Sequence, residues 1–232
     1  MKRLFTFGCS FTNYRWSTWA DCLAPEFDYF ENWGQAGGGN CYIFNSLMEA
    51  DQRHNFTQGD TIVVCWTGVN RDDRYVDQRW HTLGNMFACP IYNPEYLKTH
   101  ADIRGYLIRD IVLMKAAKVF LESKPDVKWK FLSMIEPKFS SGPHERHTTD
   151  DVIELYQDVL DAIQPSFYTA LYNEQWPNRP DNHPTPVEHL AYLDKVLPGW
   201  VTKHETRVKM HEESINLVKD PKKSGMAQVT RL

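Results

Sequence analysis

Strand-length apolar runs recur along the chain, separated by longer amphipathic stretches. These runs predict strands at residues 3–7, 28–32, 60–67 and 128–134. The run at 60–67 is apolar at consecutive positions, which is typical of a central parallel strand covered by helices on both faces. Gly8 ends the first predicted strand. The pattern therefore predicts a sheet with 60–67 in its interior.

Helical spacing of apolar residues is clearest from 102 to 123, where Ile103, Leu107 and Ile111 are followed by a terminating Pro125. Further helices are predicted at 16–23, 41–50, 151–163 and 186–197, with a short segment of undetermined type at 165–172. Strands that alternate with helices favour a three-layer α/β/α sandwich with a mainly parallel sheet.

Two segments do not follow this alternation. Residues 71–100 carry aromatic side chains among polar ones without a period, and we expect an irregular excursion that covers part of the molecule. Its aromatic residues fit the wall of an acyl or sugar pocket, core packing and a subunit interface equally well. Residues 202–219, together with the preceding Val201, approximate a heptad seam. The apolar positions of this seam are Val201, Val208, Ile215 and Val218. We expect this helix to pack on the body of the protein, with a homo-oligomer contact as the alternative.

The division that follows is one domain over residues 1–201 and a C-terminal helix with a basic tail over 202–232. The length of 232 residues and the 42% hydrophobic content suit one folded domain. Thirty acidic against 26 basic residues give a net charge of −4, so the cationic surface that nucleic acid requires is not expected.

No run reaches the roughly 20 apolar residues of a membrane span, and no signal-peptide pattern follows Met1. The five cysteines have no CxxC spacing, which favours reduced thiols and a cytosol-like compartment.

Four turns that follow predicted strands, or precede the last predicted helix, carry polar groups able to do chemistry. Their sequences are Gly8-Cys9-Ser10, Asn32-Trp-Gly34-Gln-Ala-Gly37-Gly-Gly-Asn40, Gly68-Val-Asn70 and Asp181-Asn-His183-Pro184. In parallel α/β sheets, sites form at the carboxyl ends of the strands. Each turn alone is weak evidence, since a serine or an asparagine there is usually a cap.

Taken together, in this order, the four turns resemble the serine, glycine, asparagine and histidine blocks of the SGNH (GDSL-type) hydrolase superfamily. The resemblance spans residues 5–191 and implies a flavodoxin-like sheet. Some positions depart from the family pattern: Cys9 replaces the usual aspartate, one residue separates Asp181 from His183 where two are common, and Arg71 and Glu188 replace the usual Asp and Gly.

The resemblance implies a serine hydrolase of ester bonds with a triad of Ser10, His183 and Asp181. It places the oxyanion donors at the backbone N–H groups of Ser10 and Gly37 and at the side-chain amide of Asn70. Ser10 is also expected to open onto a helix N-terminus. No cofactor or metal is expected, and His183 Nε2 or Nδ1 should lie within about 3.5 Å of Ser10 Oγ.

Three other groups compete for roles. His189 is a second candidate base, but its predicted place inside the last helix favours packing. His144, His147, Asp150 and Asp151 offer metal ligands, although a solvated loop is favoured. Cys9 offers a thiol, although a small buried residue is the better interpretation.

The expected function is hydrolysis of small acyl esters, acetylated carbohydrates included, through an acyl-Ser10 intermediate. The alternatives are a binding or structural protein on the same fold, such as a virion-associated one, and an O-acyltransferase. The short spacing of the blocks also resembles compact members from tailed phages, which suggests a phage-encoded protein in the host cytoplasm or the virion.

Overall fold

The structure of the protein is a computed structural model that describes residues 1–139, 148–177 and 182–219, with the backbone alone described for residues 218 and 219. The strands are β1 (Arg3–Phe7), β2 (Tyr29–Asn32), β3 (Asp60–Trp66), β4 (Arg71–Val76), β5 (Arg79–Asn85) and β6 (Lys128–Ser133). The helices are α1 (Trp19–Leu23), α2 (Asn40–His54), α3 (Pro94–His100), α4 (Ile103–Glu122), α5 (Asp150–Leu155), α6 (Gln157–Leu160), α7 (Phe167–Tyr172), α8 (Pro186–Val196) and α9 (His204–Lys219).

The central sheet is parallel throughout and has the strand order β2-β1-β3-β6. Every residue of β3 is buried, as its unbroken apolar run predicted. Parallel strands in this order need helical crossovers, which cover both faces of the sheet. The predicted three-layer α/β/α fold is therefore confirmed.

Alternate side chains of each strand enter two separate cores. Leu4, Val63 and Leu132 pack in one layer with residues of α1, α7, α8 and α9. Phe5, Ile62 and Phe131 pack in the other with residues of α2 and α4. Because side chains alternate along a strand, one short sequence supplies both layers.

The predicted helix at 151–163 is interrupted in the structure. Tyr156 separates α5 from α6 with φ −112° and ψ 23°, outside the helical range. Ile163 is extended and forms a parallel bridge with Phe131, which adds one residue pair beside β6. The end of the apolar pattern therefore belongs to the edge of the sheet.

The prediction of an irregular excursion at 71–100 is wrong, because most of it is regular. β4 and β5 form an antiparallel hairpin, and α3 follows it. The turn residues Asp77 and Gln78 both have positive φ, 51° and 62°, as a two-residue type I′ turn requires. The turn has no glycine and the strands are polar and largely exposed, so the usual sequence signals of a hairpin are weak.

The aromatic residues of this segment are divided between packing and an open cleft. Trp80 lies edge-on to Tyr42 of α2, with ring centroids 5.8 Å apart. Tyr92 and Tyr96 line a cavity of about 330 Å³ together with Val76 and Leu83. Packing and a cleft wall therefore both occur here.

The helix α9 packs on the body through a face other than the predicted seam. Thr206, Met210 and Ser214 are buried, whereas Val208 and Ile215 are 39% and 53% exposed. Ser214 Oγ accepts a hydrogen bond from Val187 N at 2.9 Å, so a polar contact ties α9 to α8. The expected packing of this helix on the body is therefore confirmed, through residues other than Val208 and Ile215, and the alternative of a homo-oligomer contact stays a prediction. The tail beyond Lys219 lies outside the described residues, and the boundary at 201 stays a prediction.

Candidate active site

Ser10 lies three residues beyond the carboxyl end of β1, in a turn where Thr12 N and Asn13 N both donate to Cys9 O, at 2.9 and 3.1 Å. Gly8 allows this turn, because a Cβ at that position would lie 2.0 Å from Thr12 Oγ1. The expected helix N-terminus at Ser10 is absent: the next helix, α1, begins at Trp19. A helix dipole therefore does not act at Ser10.

The structure brings Ser10 and His183 together across 173 residues of sequence. His183 Nε2 lies 2.7 Å from Ser10 Oγ, a hydrogen-bond distance that is shorter than the expected limit of about 3.5 Å. Ser10 is almost entirely buried. An imidazole at this distance can take the hydroxyl proton as the oxygen attacks an electrophile.

Aromatic side chains hold the His183 loop in place. Tyr14 stacks on the His183 ring, with centroids 4.1 Å apart and an interplanar angle of 8°. Trp16 Nε1 donates to Pro184 O at 2.8 Å in a buried hydrogen bond. Neither aromatic residue was predicted to belong to the site, and their nearness to Ser10 in the chain was the only available signal.

The loop then closes onto α8 through a capping box. Glu188 Oε2 accepts from Thr185 N at 2.7 Å and from Thr185 Oγ1 at 2.8 Å, and Pro186 occupies the first turn. Glu188, which departs from the family pattern, therefore fixes the start of the helix beside His183.

The other two candidates near this loop have different outcomes. Asp181 lies outside the described residues, so its place in the triad stays a prediction. His189 is buried on α8, and its ring lies edge-on to Phe167 and Phe11, with centroids 5.2 and 6.3 Å away. This histidine packs in the aromatic core behind the site.

The glycine block is joined directly to the Ser10 turn. Asn32 Nδ2 donates to Thr12 O at 2.8 Å, and Asn13 Nδ2 donates to Gly34 O at 2.8 Å. Gln35 N donates to Gly8 O at 3.0 Å. These bonds place the ends of β1 and β2 side by side, so the loop that contains Gly37 borders the nucleophile.

Asn70 lies beyond the end of β3, in a segment fixed by a buried polar network. Asn40 Oδ1 accepts from Thr67 N at 2.9 Å, and Asn40 Nδ2 donates to Thr67 O at 3.0 Å. The same Nδ2 donates to Asp110 Oδ2 at 2.8 Å. The glycine block and the asparagine block are thereby joined through Asn40.

Asp110 is fully buried, and this burial raises the pKa of its carboxyl group to about 6 despite the opposing effect of Arg109. Arg109 Nε donates to Asp110 Oδ1 at 2.6 Å. Asp110 was not among the site residues predicted from the sequence. A signal existed, because its position shares one helix face with Leu107, Ile111 and Met114, and a charged residue on an apolar face is rarely buried without a partner.

The three expected oxyanion donors share one property. Among the described residues, none accepts a hydrogen bond from the N–H groups of Ser10 and Gly37 or from the side-chain amide of Asn70. Backbone N–H groups are normally paired. Donors without a protein partner at the edge of a site are suited to bind an oxygen of a ligand.

Potential metal ligands lie apart from one another in the described ranges. There, no three His, Cys, Asp or Glu side chains are grouped as a metal site would need. His144 and His147 lie outside those ranges.

No helix in the described part of the chain has the length and apolar character to traverse a bilayer. Cys9 is buried beside Ser10.

Fold and geometry together define an α/β protein with a serine–histidine pair at the carboxyl edge of a parallel sheet. No protein-family model matches the chain, and no curated protein matches it.

Solved structures of lipolytic proteins are among those similar to this chain. One is the psychrotrophic esterase EstA from Pseudoalteromonas sp., inhibited by monoethylphosphonate, with 10% identity, coverage of 95% of this chain and 100% of that one, and a TM-score of 0.43. Another is a member of the lipolytic G-D-S-L family from Veillonella parvula, with 13% identity, coverage of 84% and 97%, and a TM-score of 0.42.

Proposed function

We propose that this protein is a serine esterase of the SGNH type that hydrolyses small acyl esters, acetylated carbohydrates among them. The observation that carries the proposal is the 2.7 Å contact between Ser10 Oγ and His183 Nε2. A serine hydroxyl is a weak nucleophile until a base takes its proton, and this pair supplies both groups.

In the first step, Ser10 Oγ attacks the ester carbonyl carbon while His183 Nε2 takes the hydroxyl proton. The carbonyl π electrons move to the oxygen, which becomes the oxyanion of a tetrahedral intermediate. This oxyanion would accept hydrogen bonds from the backbone N–H groups of Ser10 and Gly37 and from the side-chain amide of Asn70. Within the described ranges no residue accepts a hydrogen bond from these three groups, which supports this role.

In the second step, the carbonyl reforms as the bond to the alcohol oxygen breaks, and His183 gives its proton to that oxygen. The acyl group remains on Ser10. Water then attacks the acyl-Ser10 ester with His183 as base, and collapse releases the carboxylic acid and restores the Ser10 hydroxyl. Asp181 would orient the imidazole and stabilise its charged form. These steps use protein groups and water alone.

The test is hydrolysis of short-chain aryl esters and acetylated sugars by the wild type and by Ser10→Ala. Ser123→Ala, at an exposed position after α4, is the matched control. We expect turnover by the wild type and the control and none above background by Ser10→Ala. Absence of turnover in the wild type with both substrate classes would contradict the proposal and favour a binding or structural protein. Product analysis with a sugar acceptor present separates hydrolysis from acyl transfer.

A further inference from the structure

The hairpin β4–β5 contacts the glycine block over residues 35–39. Each residue from 35 to 39 forms a hydrogen bond with the hairpin. The bonds, with the donor named first, are Gln35 Nε2 to Thr82 Oγ1 (3.0 Å), Thr82 Oγ1 to Ala36 O (2.9 Å), Gly84 N to Gly37 O (3.1 Å), Arg71 Nη1 to Gly38 O (2.8 Å) and Gly39 N to Asp73 Oδ1 (2.8 Å). Five bonds to five consecutive residues indicate that the hairpin fixes the conformation of this loop.

At Gly37 and Gly39 the hairpin is seated so closely that only glycine fits. A Cβ at Gly37 would lie 2.1 Å from Thr82 O, and Gly37 has φ +78°, in the region that glycine favours. A Cβ at Gly39 would lie 2.7 Å from Asp73 Oδ2. The glycines therefore serve the contact with the hairpin as well as the turn itself.

One of these bonds determines where the Gly37 N–H points. The peptide unit that joins Ala36 to Gly37 is planar and trans, so its C=O and N–H point in opposite directions. Thr82 Oγ1 donates to the C=O of this unit, and the N–H of the same unit is therefore directed away from the hairpin. The Thr82 hydroxyl is itself oriented, because it accepts from Gln35 Nε2.

We propose that Thr82 is a positioning residue that directs the Gly37 N–H at the oxyanion. The inference rests on the proposed esterase function and extends it to a residue outside the four blocks. Because the oxyanion exists in the transition state and not in the bound ester, loss of this orientation should lower kcat and leave KM nearly unchanged. A misdirected donor should cost less than a deleted one, so we expect a fall of about tenfold in kcat.

The test compares Thr82→Val, Thr82→Ala and Thr82→Ser with the wild type. Valine keeps the shape and removes the hydroxyl, alanine removes it without branching, and serine keeps it. Thr57→Val is the matched control, because Thr57 precedes β3 and lies at the amino ends of the strands, opposite the site. We expect about tenfold lower kcat for the valine and alanine variants, KM within about twofold of the wild type, and recovery in the serine variant.

Two results would overturn the inference while the wild type remains active: kcat of Thr82→Ala equal to that of the wild type, or an equal loss in the serine and valine variants. Thermal unfolding of each variant checks that the fold is kept, and the alanine variant decides if valine prevents folding. Failure of the esterase proposal gives a different result, because the wild type and Thr57→Val would then show no turnover at all.

Discussion

The two sides of the candidate site are held in different ways. On the nucleophile side, aromatic groups close in sequence to Ser10 hold His183, through the stack of Tyr14 and the hydrogen bond of Trp16. On the side of the proposed oxyanion donors, polar groups from distant elements hold the segments that carry these donors, through Asp110 of α4 and the hairpin β4–β5. His183 thus depends on aromatic residues that follow Ser10 closely in sequence, whereas the proposed donors depend on polar groups of separate elements that lie far from them in sequence. Substitutions on the two sides should therefore change activity and stability in different ways.

The largest effect is expected from the reactive pair itself. Ser10→Ala and His183→Ala should each lower kcat/KM by about 10⁴-fold, and the double variant should be no worse than the poorer single one, because the two groups act as a unit. Steady-state kinetics of the three variants and of His211→Ala, an exposed control on α9, measure this. Losses that multiply in the double variant would mean that the two residues act separately.

Next in size is the deletion of an oxyanion donor. Asn70→Ala should lower kcat by about 10²-fold with little change in KM, since the amide would contact the oxygen mainly when it carries the negative charge. The control is Asn45→Ala at an exposed position of α2. A kcat for Asn70→Ala within about threefold of the wild type would remove Asn70 from the site.

A smaller effect is expected on stability, from the buried carboxyl group that supports the oxyanion side. Burial raises the pKa of Asp110 from an ordinary value near 3.8 to about 6, so between these values the folded state binds more protons than the unfolded state. The contribution of Asp110 to the free energy of unfolding therefore falls as the pH rises from about 4 to about 6, by on the order of 1–3 kcal/mol.

Asp110→Asn should remove this fall, which urea unfolding at several pH values between 4 and 7 would measure. Asp151→Asn is the control, because Arg104 lowers the pKa of the Asp151 carboxyl group to about 2, and that group titrates below the same window. An unchanged pH slope in Asp110→Asn would show that Asp110 does not titrate as described.

The smallest effect is expected from the stack on the histidine. Tyr14→Ala should lower kcat/KM about three- to tenfold, as loss of one aromatic stack of about 0.5–1.5 kcal/mol predicts, while Tyr14→Phe keeps the ring and should stay near the wild type. Steady-state measurement of kcat/KM for the two variants tests whether the aromatic ring accounts for the effect. An equal loss in both would assign the effect to the phenol hydroxyl group.

The same contrast explains how much the sequence could predict. The strands and the four blocks were accessible, because an apolar run such as 60–67 identifies a central strand and the carboxyl ends of parallel strands meet at one edge. The approach of Ser10 and His183, which the structure brings to 2.7 Å, was predicted by the resemblance of the four turns to the SGNH blocks. The prediction of a helix N-terminus at Ser10 was wrong, because the sequence of a strand and its following turn does not indicate how many residues separate that turn from the next helix.

The hairpin was beyond the sequence signals used. Its turn residues, Asp77 and Gln78, have left-handed φ values without a glycine, and its inner contacts are single hydrogen bonds from residues such as Thr82. Such bonds depend on tertiary placement and leave no period in the sequence. The side of the site that relies on them was accordingly predicted only as isolated donors, without the element that orients them.

The most direct test of the central claim is to map the adduct of a serine-directed phosphonate by peptide mass spectrometry. The account predicts a single covalent label on Ser10, formed much more slowly in His183→Ala because the base that activates the hydroxyl is gone. The label should form at the wild-type rate in His211→Ala. Absence of a label, or a label on another residue while Ser10 stays unmodified, would contradict the account.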